Sequence, residues 1–173
     1  MNIFQPDTGI ASQPGGIASQ PGDIASQPGG SASHTGVVLD AEEAHQLEEA
    51  IFAGEGRRLR VNVHVIGDEE MTQAHVDHLG TPGTTDVITF DLAGDGPGAE
   101  CEEDVDGEIL VNGQLALREA EERGHAPETE LLFYVAHGLL HLLGYDDASP
   151  EDRDAMLALQ ARYLASAGRN LES

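Results

Sequence analysis

His137-Gly138-Leu139-Leu140-His141-Leu142-Leu143-Gly144-Tyr145-Asp146-Asp147 is the stretch on which the reading of this chain turns. Two His four residues apart lie roughly 40° apart on a helix of about 3.6 residues per turn, so both imidazoles leave one face. Gly144 supplies the left-handed residue that commonly ends a helix, and the chain can then turn back toward that face. Asp147, just past the turn, can bring a carboxylate oxygen to the point where the imidazoles converge. Two nitrogens and one oxygen, with a fourth position left to water, describe a catalytic zinc site. The spacing predicts a metal-dependent hydrolase with His137, His141 and Asp147 as ligands of one Zn2+. A helix carrying hydrogen-bonded core histidines is the plainer alternative. What favours a metal is the ordered combination of His pair, apolar filling, Gly at the helix end and acidic residues after it.

Working outward, Ser149-Pro150-Glu151-Asp152 offers a capping Ser, Pro at the first helical position and acidic residues in the first turn. A last helix follows, with Met156, Leu157, Leu159 and Leu164 as its apolar residues. Upstream, the His-bearing helix runs from about Pro127 to Leu143, and another runs from Leu115 to Arg123, stopped by Gly124. Val87–Phe90 and Glu108–Val111 read as short strands around a Gly-rich acidic loop, Ala93 to Asp106. Leu59, Val61, Val63 and Val65 alternate with polar residues as in a half-buried strand. Asp68-Glu69-Glu70-Met71 reads as a capped helix start, with the helix ending before Gly80. Asp40 caps a helix to about Phe52, with Gly54 and Gly56 stopping it. The pattern predicts one α+β domain over residues 36–173, a small mixed β-sheet packed with about four to five helices, and the zinc site on a helix-turn.

Residues 1–35 are read as a tail. Ile10–Gly16, Ile17–Asp23 and Ile24–Gly30 each spell I-A-S-Q-P-G-(G/D), and Pro and Gly in every unit exclude a helix. Such a repeat buries too little apolar surface to offset its ordering entropy, so disorder is expected.

Composition narrows the function. The chain has 173 residues and 39% hydrophobic content, enough for one core, and no apolar run long enough for a membrane span. The net charge of −24 sets 32 acidic residues against eight Arg, with no Lys. Such a surface repels phosphates and lipid headgroups unless a local patch reverses the sign. Arg57, Arg58 and Arg60 form a tight basic cluster, read as a solvated strand entrance. Cys101 stands alone among Glu100, Glu102, Glu103 and Asp104, where carboxylates disfavour the thiolate, so no disulfide and no nucleophile are expected. The N-terminus lacks a basic start with an apolar core, and the expected compartment is the cytoplasm.

The motif region resembles the H-G-x-L-H-L-x-G-Y-D-H signature of the YbeY family of bacterial endoribonucleases. Thr85-Asp86-Val87-Ile88-Thr89-Phe90 is similar to that family's P-T-D-V-L-S-F, and Gly107-Glu108-Ile109-Leu110-Val111 to its G-D-I-x-I strand. The resemblance covers roughly residues 37–165. It implies a small α+β metalloprotein with one zinc ion and a cleft for single-stranded RNA, acting in ribosomal RNA maturation. The implied partners are single-stranded or ribosomal RNA and ribosomal proteins, with no DNA and no membrane. Carried over, the metal ligands are His137, His141 and the residue at 147. The family usually has a third His there, and this chain has Asp147, which is also a competent zinc ligand. The family also keeps a Tyr-Arg pair upstream of T-D-V, its Arg directed at the substrate, where this chain has His78-Leu79. Leu79 cannot stabilise a phosphate. His78 or His75 could supply a cation or move a proton, or both could simply face solvent. No general base is assigned. Thr85 and Asp86 could orient substrate or cap the strand start.

Two other readings compete. H-x-x-x-H-x-x-G-x-x-D matches the ligand spacing of metzincin metalloproteases, but those need Glu after the first His as general base, and Gly138 cannot accept a proton. The second is a non-catalytic, zinc-stabilised ribosome-associated factor, with Asp146 as the nearest fourth ligand. His34, His45, His64 and His125 pair with nothing at ligand spacing.

Overall fold

The computed structural model describes residues 2–4, 35–93 and 105–169. Among these described residues four strands and five helices follow in the order β1 (Asn2–Phe4), α1 (Ala41–Glu55), β2 (Val61–Ile66), α2 (Asp68–Leu79), β3 (Val87–Asp91), β4 (Gly107–Asn112), α3 (Gly113–Arg123), α4 (Pro127–Leu142) and α5 (Pro150–Ser166). The strands form one mixed sheet in the order β1-β2-β4-β3. β1 and β4 flank β2 in parallel, and β3 runs antiparallel to β4. The α+β class and the mixed sheet are those expected from the sequence.

The period-2 pattern of β2 sets the inner face of the sheet. Val61, Val63 and Val65 are buried while Asn62, His64 and Ile66 between them are half-buried. Val63 pairs with Ile109 and Val65 with Val111, so β4 adds its own buried residues to that face. Helix α4 lies against β3 and β4, with α1 and α5 packed on α4. The closest approach is at Gly138, where a Cβ would stand 2.8 Å from Ile109 Cγ2 and 3.1 Å from Thr89 Cγ2. Gly138 is there because the helix backbone rests on the sheet. Leu131, Leu132, Leu139 and Leu140 of α4 are at most 1% exposed, each contributing roughly 1.5–3 kcal/mol by burial.

Caps fix the helix ends. Asp40 accepts from the N–H groups of Glu42 and Glu43, and Ser149 Oγ from Asp152 N at 3.1 Å. Gly56, Gly80 and Gly124 close α1, α2 and α3 in the left-handed conformation. Some boundaries differ from the sequence reading. Helix α1 passes through Gly54 to Glu55; Gly54 is not a stop but the place where the Tyr163 ring comes too close for a side chain, and the left-handed cap is Gly56. Helix α3 starts at Gly113 rather than Leu115, because the Asn112 side chain accepts from Leu115 N at 3.0 Å. Gly67, not Asp68, stands at the cap of α2, and Glu70 reaches back to its N–H.

A larger correction concerns the start of the chain. Asn2, Ile3 and Phe4 were assigned to the tail, yet they pair with Asn62, Val63 and His64, and Ile3 packs against the core. An apolar Asn-Ile-Phe triplet beside an open sheet edge can complete a parallel ladder, which composition averaged over 35 residues conceals. The repeat Ile10–Gly30, His34, Cys101 and most of the acidic loop lie outside the described residues.

Candidate metal centre

Helix α4 presents His137 and His141 one turn apart, and the chain reverses just beyond it. Gly144 adopts φ +100°, while Gly144 N donates to His141 O and Tyr145 N to Leu140 O. This turn brings Asp147 back to the histidines, and ligand atoms of His137, His141 and Asp147 all lie within 4.8 Å of one another. His137 Nε2 is 3.0 Å from His141 Nε2 and 3.8 Å from Asp147 Oδ2. The three residues singled out by the sequence are thus assembled in one place.

Asp146, the alternative ligand, is turned elsewhere. Its Oδ1 accepts from the N–H of Asp147 at 2.8 Å and of Ala148 at 3.2 Å. That carboxylate stabilises the turn instead of joining the cluster.

Two imidazoles need defined tautomers to act as ligands. His141 Nδ1 is 3.0 Å from the carbonyl of Tyr145, and a carbonyl can only accept. Nδ1 therefore carries the proton, and the lone pair of Nε2 is aimed into the cluster. Burial, followed by the neighbouring His141, holds His137 below the ordinary imidazole pKa, against the opposing charges of Asp86 and Asp147. His137 is neutral near pH 7. The donor set of two imidazoles and one carboxylate, their ligand atoms converging on one point, fits a divalent cation.

The turn is braced from behind. Tyr145 Oη donates to Glu55 Oε2 at 2.6 Å, and Tyr163 of α5 donates to the other oxygen of the same carboxylate. These hydroxyls hold the Glu55 carboxyl below its usual range. A cavity of about 210 Å³ beside it is lined by Glu55, Arg57, Leu143, Gly144 and Tyr145.

Asp86, from the Thr-Asp-Val stretch, accepts at Oδ1 from Thr85 Oγ1 and from Val87 N, both at 2.9 Å. It holds the start of β3 and places negative charge near His137. His75 and His78 are otherwise engaged. His75 Nδ1 donates to Thr81 O at 2.9 Å, and the His78 ring meets Phe90 edge-on at 4.7 Å. Of the basic side chains, Arg58, Arg60, Arg118, Arg123, Arg162 and Arg169 each ion-pair with a carboxylate of the chain itself.

Two features were missed in the sequence. His45, Glu48 and Glu49 also lie within 4.8 Å of one another, at positions that looked like an ordinary exposed helix turn. Gln160 contacts His137 Nδ1 from α5 and is fully buried. Its signal was present, since Met156, Gln160 and Leu164 are spaced by four along the buried stripe of that helix, with one polar residue among apolar ones.

Comparison with known proteins is consistent with this geometry. The family model described as Endoribonuclease YbeY matches residues 34–168. The chain is 36% identical over 138 residues to an endoribonuclease YbeY of Thermobifida fusca, covering 78% of this chain and 82% of that protein. It is 38% identical over 128 residues to one of Symbiobacterium thermophilum, covering 72% and 82%. A Thermotoga maritima protein solved in solution superposes with a TM-score of 0.52 at 30% identity, covering 76% of this chain and 85% of that one.

Proposed function

Since this chain belongs to the endoribonuclease YbeY family, we propose that it is a zinc-dependent endoribonuclease acting on single-stranded RNA in the processing and maturation of ribosomal RNA. The observation that carries the reading is the convergence of His137, His141 and Asp147 without Asp146. Three protein donors leave coordination positions for water and substrate, as a catalytic centre needs, whereas a structural zinc site takes four protein ligands. When bound, a divalent cation there supplies a Lewis acid for the phosphodiester and lowers the pKa of a coordinated water.

The chain's own residues do the rest. Tyr145 O fixes the His141 ring and its tautomer. Asp147 places a negative charge where a third imidazole would be neutral, so this donor set offsets more of the cation's charge. Gly138 lies against Ile109 and Thr89 with no room for a side chain, so no residue at 138 can act as the base a metzincin requires. With so many arginines paired internally, RNA is held weakly and its binding falls steeply with salt. Among the described residues no helix is long and apolar enough to cross a membrane. Ribosomal RNA with its ribosomal proteins, in the cytoplasm, is the setting this reading implies.

The test compares the parent with His141→Ala, purified identically, on single-stranded RNA. Cleavage by the parent, lost on chelation and restored by zinc, with none from the variant, supports the proposal. Equal cleavage by both sinks it. Stoichiometric zinc without any cleavage favours the non-catalytic ribosome-associated factor.

A further inference from the structure

Gln160 is fully buried on α5, and its Nε2 lies 2.5 Å from His137 Nδ1. An amide nitrogen can only donate, so His137 Nδ1 is the acceptor and the ring's proton sits on Nε2. From there it is donated to His141 Nε2, 3.0 Å away, which is bare because His141 Nδ1–H is committed to Tyr145 O. The three contacts form one directed chain: Gln160 to His137, His137 to His141, His141 to Tyr145. That arrangement is self-consistent, and it is the wrong one for a ligand. His137 cannot offer Nε2 to a cation while Nε2 carries a proton. The other end of the amide, Gln160 Oε1, is buried and has no hydrogen-bond partner among the described residues.

We propose that Gln160 is a positioning residue that selects the tautomer of His137, its amide turning over when a divalent cation enters the cluster. The inference rests on the metal reading above. On loading, the proton leaves His137 Nε2 and one returns from solvent to Nδ1, so the ring stays neutral and no net proton is released by the exchange. Nδ1–H then needs an acceptor, and Gln160 Oε1 becomes it. The two ends of an amide have almost the same shape, so the turn disturbs little of the surrounding packing. It exchanges one unpartnered amide atom for the other, which leaves the tautomer of His137 to decide the orientation. An acceptor on the outer nitrogen of a ligating His orients the ring and raises its basicity.

Long-range imidazole 15N spectra of the parent read the tautomer directly. The expected result is an Nε2–H ring at His137 without metal and an Nδ1–H ring with zinc. Zinc affinity is measured by chelator competition, and ring geometry by the visible bands of the cobalt-substituted protein. Gln160→Glu offers acceptors alone, so its His137 should be Nδ1–H before any metal is added and zinc should bind about 10-fold tighter or more. Gln160→Leu offers none, and should bind zinc about 10-fold more weakly with altered cobalt bands. Melting curves confirm that each variant is folded, and Gln160→Glu keeps the test open if Gln160→Leu fails to fold. A parent that binds zinc, with the same His137 tautomer before and after loading, overturns this inference alone. So do equal zinc affinities in parent and Gln160→Glu. A folded parent that binds no zinc overturns both this and the metal reading beneath it.

Discussion

Among the described residues two triads of potential ligands stand on this fold, and they differ in what each side chain is already holding. In the His45, Glu48, Glu49 group, Glu49 is clamped at both oxygens by Arg58, each contact at 2.5 Å, and the exposed His45 leans on Glu48 at 3.2 Å. Its carboxylate charge is already answered by a guanidinium. In the His137, His141, Asp147 group the partners from outside the triad act on atoms other than those that would ligate: Gln160 and Tyr145 O take the outer nitrogens of His137 and His141, and the backbone turn occupies Asp146. Proximity of ligating atoms is common on an acidic protein. A centre is distinguished by partners that orient its donors without consuming them.

The sharpest break of this contrast is His141→Ala beside His45→Ala. The first should lower zinc affinity by more than about 100-fold, since losing a ligand costs more than losing its hydrogen-bond partner, while the second leaves it unchanged. Equal losses, measured by chelator competition, would erase the distinction. Next comes the acidic pair. Asp147→Ala should weaken zinc about 10- to 100-fold, while Asp146→Ala, whose carboxylate serves the turn, should retain most of the affinity. A reversed order would move the third ligand to 146.

Smaller effects probe the scaffold. Gly138→Ala gains about 1 kcal/mol of helix propensity but forces a methyl against Ile109 and Thr89, an overpacking that costs about 1–3 kcal/mol. The expected net is a melting temperature lower by a few degrees, and an unchanged or higher value would mean that α4 sits less tightly on the sheet. Smallest is the brace behind the turn. The Glu55 carboxyl is held low by Tyr145 and Tyr163, so its contribution to stability is complete above the unfolded pKa of about 4.5 and is lost as pH falls through the lower folded value. The stability gap between parent and Glu55→Gln should therefore be open at pH 6 and close progressively below about pH 4.5. A gap that stays constant with acidification would place the effect in packing instead of charge.

How legible this was in the sequence follows the range of the interactions. His137, His141 and Asp147 could be read because an i, i+4 pair and a glycine-ended helix fix geometry within a few residues. The capped helices, the alternating β2 and the α+β class followed from local pattern in the same way. Asn2–Phe4 was misplaced because a three-residue edge strand has no periodicity of its own and depends on a partner near residue 62. Asn112 lies just past the strand read over Glu108–Val111 and carries no local signal of its role, though its amide caps α3 and also bonds Asp68 and Thr84. Gln160 was visible only as a polar interruption in an apolar stripe. Nothing local says which histidine such an interruption will meet.

The folding order of this molecule is also written in its register. Val63 pairs with Ile109 across a long stretch of chain, as Arg60 does with Asp106 at a separation of 46 residues. His137, His141, Asp147 and Gln160, by contrast, all lie on one helical hairpin, the widest contact among them spanning 23 residues. Local contacts form before distant ones are worth their loop closure, so the α4–α5 hairpin should be assembled while the sheet is still open. Zinc would then find its ligands on the way to the native state, and its binding energy would already be felt at the barrier. Added zinc should accelerate refolding more than it slows unfolding, which stopped-flow traces with and without the metal would resolve.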